Sequence, residues 1–479
     1  MTALPDGLSP PELIVQDELH LISGPLGTMV GLYETAIEEL CSRPAKGPSS
    51  LGEGEPRIRP KIVASTATVR RAAEQVQALF GRDDMTLFPP PGADDADTFF
   101  AEADTGSKGR LYVGVAAPGR AVKALLLRTY VALLGAAEKL FDPKGPPDQT
   151  ADAYATLVGY FNSLRELGGM RRLVEDEVHR LCGEDPRGRT PRNAGEGHPW
   201  VRRRTIKNEP VELTSRRSTA EIAHAKSQLR IPHTQAEHID VVLASNMISV
   251  GVDIDRLGLM VVAGQPKTTS EYVQASSRVG RAKSRPGLVV TVLNAHKPRD
   301  RSHYERFGAY HESLYRFVEA TSVTPFSAPA LDRGLSGTLV AMTRLGNPSL
   351  TPSTAVRKTD EATAAALAAV ERIADKAARE RPRASEEESL RVRDEVRRLG
   401  KNLVSAWASV VKSENVERYS TFEDKEGIAL LYTALDGAAP EKGTQWAKFR
   451  APTSMRDVEP SVHLWKSRQG LAKVGGDDE

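Results

Sequence analysis

The chain has 479 residues, 40% hydrophobic and 27% charged, which supplies apolar side chains for buried cores and excludes wholesale disorder. A formal net charge of +2 announces no nucleic-acid partner, so any basic surface has to be local, and 5% aromatic residues exclude a binder built on repeated stacking platforms. Two cysteines, Cys41 and Cys182, exclude a disulfide framework and a four-cysteine zinc site; without a signal-like N-terminus or an apolar run of about 18 residues, the expectation is a cytoplasmic protein with no membrane partner.

Leu13-Ile14-Val15 reads as a short buried strand. It runs into Asp17-Glu18-Leu19-His20, a glycine-rich turn, and a helix over 28–40. Residues 42–60 read as a loop rich in Pro, Gly and Ser. Lys61 to Ala64 is a second apolar strand, ended by Ser65-Thr66-Ala67-Thr68 and followed by a helix over 69–80. The stretch 81–109 is irregular. Alternation then resumes, with strands at 111–115, 155–161, 211–213, 241–244, 259–262 and 287–293. Helices are expected over 121–141, 174–181, 218–229 and 269–278. Apolar strands alternating with helices predict an α/β fold with parallel sheets, divided near Gly106. Past Thr321 the strand signal fades into helices over 360–378 and 385–411, separated by Arg381-Pro382-Arg383, which read as a solvated hairpin in preference to a nucleic-acid clamp. The expected domains are 1–108, 109–320 and 321–479.

Four polar segments follow these strands. A carboxylate at the C-terminal end of a parallel strand falls in the ligand crevice of an open α/β sheet. Asp17-Glu18-Leu19-His20 is therefore either an acidic turn or a site where Asp17 holds Mg²⁺ through water while Glu18 orients or deprotonates an attacking water. His20 does not have the spacing of a zinc-binding helix. Ser65 to Thr68 reads either as a cap for the next helix or as a hinge tying a nucleotide site to domain motion. From Ser245 to Asp253, Ser245 and Asn246 can donate to a phosphate oxygen, Gly251 permits close backbone approach, and Asp253 faces the nucleotide; the competing reading is an ordinary polar connection. In Gln274-Ala275-Ser276-Ser277-Arg278-Val279-Gly280-Arg281, two arginines three apart share one side of a helical turn. They either stabilise charge on a transferring phosphoryl group or simply favour the helix dipole.

In order and placement these segments resemble the superfamily 2 helicases and translocases. Asp17 to His20 matches the DExH box, and Ser65 to Thr68 the Ser-Ala-Thr coupling motif with one inserted residue. Ser245 to Asp253 matches the fifth motif and Gln274 to Arg281 the sixth, with Ser277 where many members carry glycine. Within that superfamily, residues 13–34, 161–167, 248–283 and 451–458 are similar to the helicase subunits of DISARM anti-phage systems, the DrmA-like group.

The resemblance implies two RecA-like parallel-sheet domains, the first incomplete, followed by a mainly helical C-terminal region, with ATP and Mg²⁺ between the sheets. It implies Asp17, Glu18, Gln274, Arg278 and Arg281 as catalytic residues, and Asp17 (for Mg²⁺), Gly251, Asp253, Arg278 and Arg281 as cofactor ligands. His20, Ser65, Thr66 and Thr68 would couple hydrolysis to motion. Thr214-Ser215-Arg216-Arg217 ends a strand where the superfamily commonly touches the nucleic-acid backbone, with Ser245 and Asn246 as further contacts. Trp200, Arg202, Arg203, Arg204 and Lys207 form either a second contact or a solvated loop.

No G-x-x-x-x-G-K-[ST] phosphate loop occurs in the 479 residues, and sixteen residues precede Asp17. The chain is accordingly expected to be the C-terminal part of a longer or split helicase, a product with a misplaced start, or a degenerate relic. The expected function is that of an ATP-dependent DNA helicase or translocase, with DNA and other defence-system subunits as partners. The alternative is a non-catalytic nucleic-acid-binding or assembly subunit. A nuclease would need a carboxylate–lysine cluster that the sequence does not offer.

Overall fold

Strands form where the sequence clusters apolar and β-branched residues, and in this chain nearly every such run lies parallel to another. The computed structural model describes residues 9–44, 57–66, 70–90, 97–100, 102, 104, 106–141, 148–184, 202–207, 209–214, 216–249, 253–320, 323–380, 384–421, 427–433, 440 and 443–452. Its principal strands are β1 (Leu13–Gln16), β2 (Lys61–Ala64), β3 (Arg110–Ala116), β4 (Leu157–Phe161), β5 (Val211–Leu213), β6 (Val241–Ala244), β7 (Leu259–Ala263) and β8 (Gly287–Leu293). Its principal helices are α1 (Gly24–Cys41), α2 (Ala72–Phe80), α3 (Val122–Leu140), α4 (Leu164–Leu173), α5 (Thr219–Gln228), α6 (Thr269–Ser276), α7 (Ala328–Leu345), α8 (Thr359–Arg379) and α9 (Glu386–Ser413).

The chain packs as two units: Met1–Phe88 together with Ala320–Glu479, and Pro89–Glu319. In the second, six parallel strands lie in the order β3-β8-β7-β4-β6-β5. Every residue of β4, β6 and β7 is buried, as expected of central strands covered by helices on both faces. Tyr130, Leu134, Phe161 and Val261 fill one side, and Tyr160, Val262, Tyr272 and Val289 the other. The α/β class expected from the alternation holds.

The first unit differs from the expected arrangement. Its sheet is a parallel pair, β1 with β2, in the register Leu13↔Lys61 to Gln16↔Ala64. Leu32 and Ala36 of α1 share one core with Leu335 and Leu339 of α7, Val370 and Ile373 of α8, and Trp407 of α9. The N-terminal segment and the C-terminal helices thus pack together, whereas the sequence set them in separate domains. The hairpin of α8 and α9 is likewise more than a solvated one. Alanines 362, 366, 369, 374 and 377 keep one face of α8 shallow, and Gly400 admits Val370, whose methyl would lie 2.6 Å from an added Cβ. Its charge pairs, such as Arg397 with Glu371 at 2.8 Å, remain outside that core.

Candidate functional site

In the first unit the parallel register ends β1 and β2 level with each other, which sets Asp17 beside Ser65. The Ser65 hydroxyl donates to Asp17 Oδ1, and the Glu18 backbone N–H donates to the same oxygen at 2.9 Å. These hydrogen bonds, Ser65 first, hold the exposed Asp17 carboxyl below its usual range and keep it ionised. Glu18 has the left-handed conformation, φ 53°, which turns the chain sharply into Leu19–Leu21. His20 is buried, with Nδ1 3.2 Å from Thr66 Oγ1 and Nε2 3.3 Å from a Glu18 oxygen. Ser65 and Thr66 therefore do not cap α2, whose N-cap is Arg71; they bind the first acidic motif. Thr68 lies outside the described residues.

Among the described residues no three His, Cys, Asp or Glu side chains are grouped to hold a metal ion. A single ionised carboxylate suits Mg²⁺ that keeps most of its water.

In the second unit the polar turns follow the C-terminal ends of the strands. Helix α6 is capped by the Thr268 side chain, and the Glu319 carboxylate accepts from the Thr269 N–H at 2.8 Å. The helix ends at Ser276, so Arg278 and Arg281 lie in the turn after it and not, as the sequence predicted, on one side of a helical turn. Arg281 is exposed and Arg278 half-buried there, while Gln274 is buried in the helix. Arg110, at the start of β3, fixes this turn: Nε donates to Val279 O at 2.6 Å and Nη2 to Ser277 O at 3.1 Å. Gly280 has φ +64°, and a Cβ there would meet Gly287 N at 2.4 Å. Asp253 pairs with Arg281, which joins two residues that the sequence separates by an intervening strand and helix. Gly251 and Ser215 lie outside the described residues.

The expected backbone-contact residues divide. Thr214 is fully buried and its hydroxyl donates to Glu212 Oε1 at 2.6 Å, so it is not placed to bond an external phosphate. Ser245 is also buried and spends its hydroxyl on Asn246, which is exposed. Arg216 and Arg217 reach the surface, each tied to a carboxylate: Arg216 to Glu212 at 2.7 Å, Arg217 to Glu221 at 3.0 Å. Both line a groove of about 910 Å³ that also takes in Lys123, Arg165, Arg171 and Arg172, and with them the carboxylates of Glu175, Asp176, Glu177 and Glu212. Sequence reasoning missed this second bank. Arg165, Gly168, Gly169 and Arg172 recur at helical spacing along α4, and that pattern was the available signal.

Arg204 departs from the solvated-loop reading and from the phosphate-contact reading alike. It is 3% exposed, with Nη2 2.7 Å from both Asp240 Oδ1 and Ala155 O. It is a core cation. Trp200 lies outside the described residues, and Lys207 gives its backbone N–H to Asp240 at 3.0 Å.

Residues 203–283 match the helicase conserved C-terminal domain, a span that includes β5, α5, β6, β7 and α6 with its arginine-bearing turn. The chain contains a helicase C-terminal domain. Over 343 residues it is 48% identical to the DISARM protein DrmA of Bacillus paralicheniformis, covering 71% of this chain and 29% of DrmA. The chain thus spans under a third of that relative's length. Among solved structures, the DUF1998 helicase MrfA bound to DNA matches at 16% identity with a TM-score of 0.42, over 69% of this chain and 35% of MrfA. The Mycobacterium smegmatis helicase Lhr bound to ssDNA and AMP-PNP matches at 14% identity with a TM-score of 0.43, over 74% and 36%. No described helix is long and apolar enough to cross a membrane.

Proposed function

We propose that this chain supplies ATP- and DNA-handling residues of an ATP-dependent DNA helicase or translocase in anti-phage defence. The observation that carries the reading is the double link of Asp17 to Ser65 and His20 to Thr66, made on top of a 48% likeness to DrmA. It ties a carboxylate suited to Mg²⁺ to the segment expected to move with the nucleotide.

Mg²⁺-ATP supplies the electrophilic phosphorus and part of the charge neutralisation when bound. Asp17, kept ionised by its hydrogen bonds, holds the hydrated cation. Glu18 orients the attacking water or takes its proton, and His20 fixes the Glu18 carboxylate at 3.3 Å. Arg278 and Arg281 counter charge on the phosphoryl oxygens, with Arg110 and Gly280 setting the turn that presents them. Arg216, Arg217 and the α4 arginines give the groove its attraction for a phosphodiester backbone.

One observation favours the alternative of a non-catalytic nucleic-acid-binding or assembly subunit: Arg281 already has Asp253 as its partner. Calorimetric titration with Mg²⁺-AMP-PNP distinguishes the two. Binding that is weakened in both Asp17→Asn and Arg278→Ala supports the nucleotide role, and equal affinity in all three proteins overturns it. Phosphate release by the 479 residues alone should stay near background with or without duplex DNA, because they contain no G-x-x-x-x-G-K-[ST] cradle. Strong DNA-stimulated release, abolished by Glu18→Gln, would show that no such loop is needed.

A further inference from the structure

Helices α1, α7 and α8 and the segment 57–59 enclose a cavity of about 390 Å³. It lies before the start of β2, so it is at the opposite end of the β1–β2 pair from Asp17. Its lining is unbalanced in charge: Arg57, Arg59, Arg372, Lys376 and Arg379 face Glu38 and Glu39.

The two carboxylates are already heavily shared. Arg57 and Arg372 each place Nη1 2.9 Å from Glu39 Oε1. Glu38 receives Lys376 Nζ at 2.9 Å, Arg59 at 3.3 Å and Arg82, which is not part of the lining, at 3.4 Å. Arg379 is exposed and makes no ion pair among the described residues. Glu380 touches Lys376 at 3.3 Å, but burial pushes its pKa up to about 8, so it adds little negative charge at neutral pH. Burial likewise raises the Glu34 carboxyl beside this cluster. The Lys376 side chain is only 4% exposed, so one of the cations is fixed within the wall.

A concave wall with surplus positive charge focuses its field on the enclosed space. Guanidinium groups add paired, directional donors that match phosphate oxygens. We propose that this cavity binds a phosphate-bearing anion, with Arg57, Arg372 and Arg379 gripping its oxygens and Lys376 supplying the buried charge. The volume suits a phosphorylated small molecule, and the same chemistry is offered by a nucleic-acid backbone.

The test is calorimetric titration of the full chain with inorganic pyrophosphate. The wild type should bind it, the Arg372→Gln/Arg379→Gln variant at least tenfold more weakly, and Arg397→Gln, which removes a cation outside the cavity, as the wild type does. The Arg372→Gln/Arg379→Gln variant should keep wild-type affinity for Mg²⁺-AMP-PNP, which separates this site from the proposed nucleotide residues, so either reading can fail alone. Thermal melts check that the double variant is folded, and Arg379→Gln alone serves if it is not. A saturating oligothymidylate without terminal phosphates that leaves the isotherm unchanged identifies a small phosphorylated ligand; one that abolishes it identifies a backbone. No pyrophosphate binding by the wild type, or equal binding by the wild type and the Arg372/Arg379 variant, overturns the proposal.

Discussion

His20 Nδ1 lies 3.2 Å from Thr66 Oγ1, across 46 residues of chain. The other ring nitrogen faces Glu18, whose carboxylate can only accept when ionised. In the neutral ring Nε2 is therefore the donor, and Nδ1 accepts from the threonine hydroxyl. The acidic motif after β1 and the hydroxyl segment after β2 are thereby joined through one imidazole. A double-mutant cycle with His20→Ala and Thr66→Val should give a coupling of about 0.5–1.5 kcal/mol in urea unfolding. Additive effects would mean that the pair contributes no mutual stability.

The strands were legible because each is a short apolar run between polar turns, and β4, β6 and β7 are buried on both faces. The strand expected to be buried at 13–15 instead exposes Leu13 (52%) and Val15 (67%), alternating with the half-buried Ile14. Helix α4 was not, since Gly168 and Gly169 lower helix propensity in the middle of it; the Ser163 cap and the buried Leu167 and Met170 prevail. The same glycines leave room beside Arg165 and Arg172, so one local feature hid both the helix and its bank of the groove. The Arg204–Asp240 and Asp253–Arg281 pairs are long-range, and no local pattern announces them. Thr214 was misplaced because a three-residue strand is too short for alternation to tell which face is inward.

Gly280 is a sharp test of the arginine-bearing turn. Its φ of +64° costs an L-residue roughly 1–2 kcal/mol, and the added methyl would collide with the Gly287 backbone. Gly280→Ala should lower the melting temperature by several degrees and weaken Mg²⁺-AMP-PNP binding with it. A stable variant with normal nucleotide affinity would show that the turn can relax without moving Arg278.

DNA binding should be weak, indifferent to sequence and strongly salt-sensitive, because neutralising phosphates releases counterions. Among the described residues Lys123, Arg165 and Arg172 make no ion pair, whereas Arg216 and Arg217 do. Arg216→Ala/Arg217→Ala and Arg165→Gln/Arg172→Gln should each lower affinity equally for two unrelated duplexes. Each should flatten the salt slope by up to about one unit per lost contact. Arg278→Ala should leave the slope alone. Fluorescence anisotropy over a salt series decides this, and loss of affinity only in the Arg278 variant would reverse the assignment of the basic clusters.

Acid should weaken the second unit in two stages. Burial pushes the Asp240 carboxyl up, but the His238 hydrogen bond and the Arg204 charge overcome it and hold the pKa at about 2. Its stabilisation is present above the unfolded value near 3.8 and is lost as pH falls toward 2. His233 behaves differently: burial, then the Arg204 charge, lowers its pKa to about 4. Between about 6.5 and 4 the unfolded chain binds a proton that the folded ring refuses, so stability already declines across that window. Each group accounts for on the order of 2 kcal/mol, enough for a fall of several degrees in melting temperature. Melts from pH 7.5 to 4 should show the wild type losing stability below about 6.5, and His233→Gln should flatten the profile above pH 4. A wild-type profile that is level down to pH 4, or one that His233→Gln leaves unchanged, would mean that His233 is protonated in the folded state with no cost.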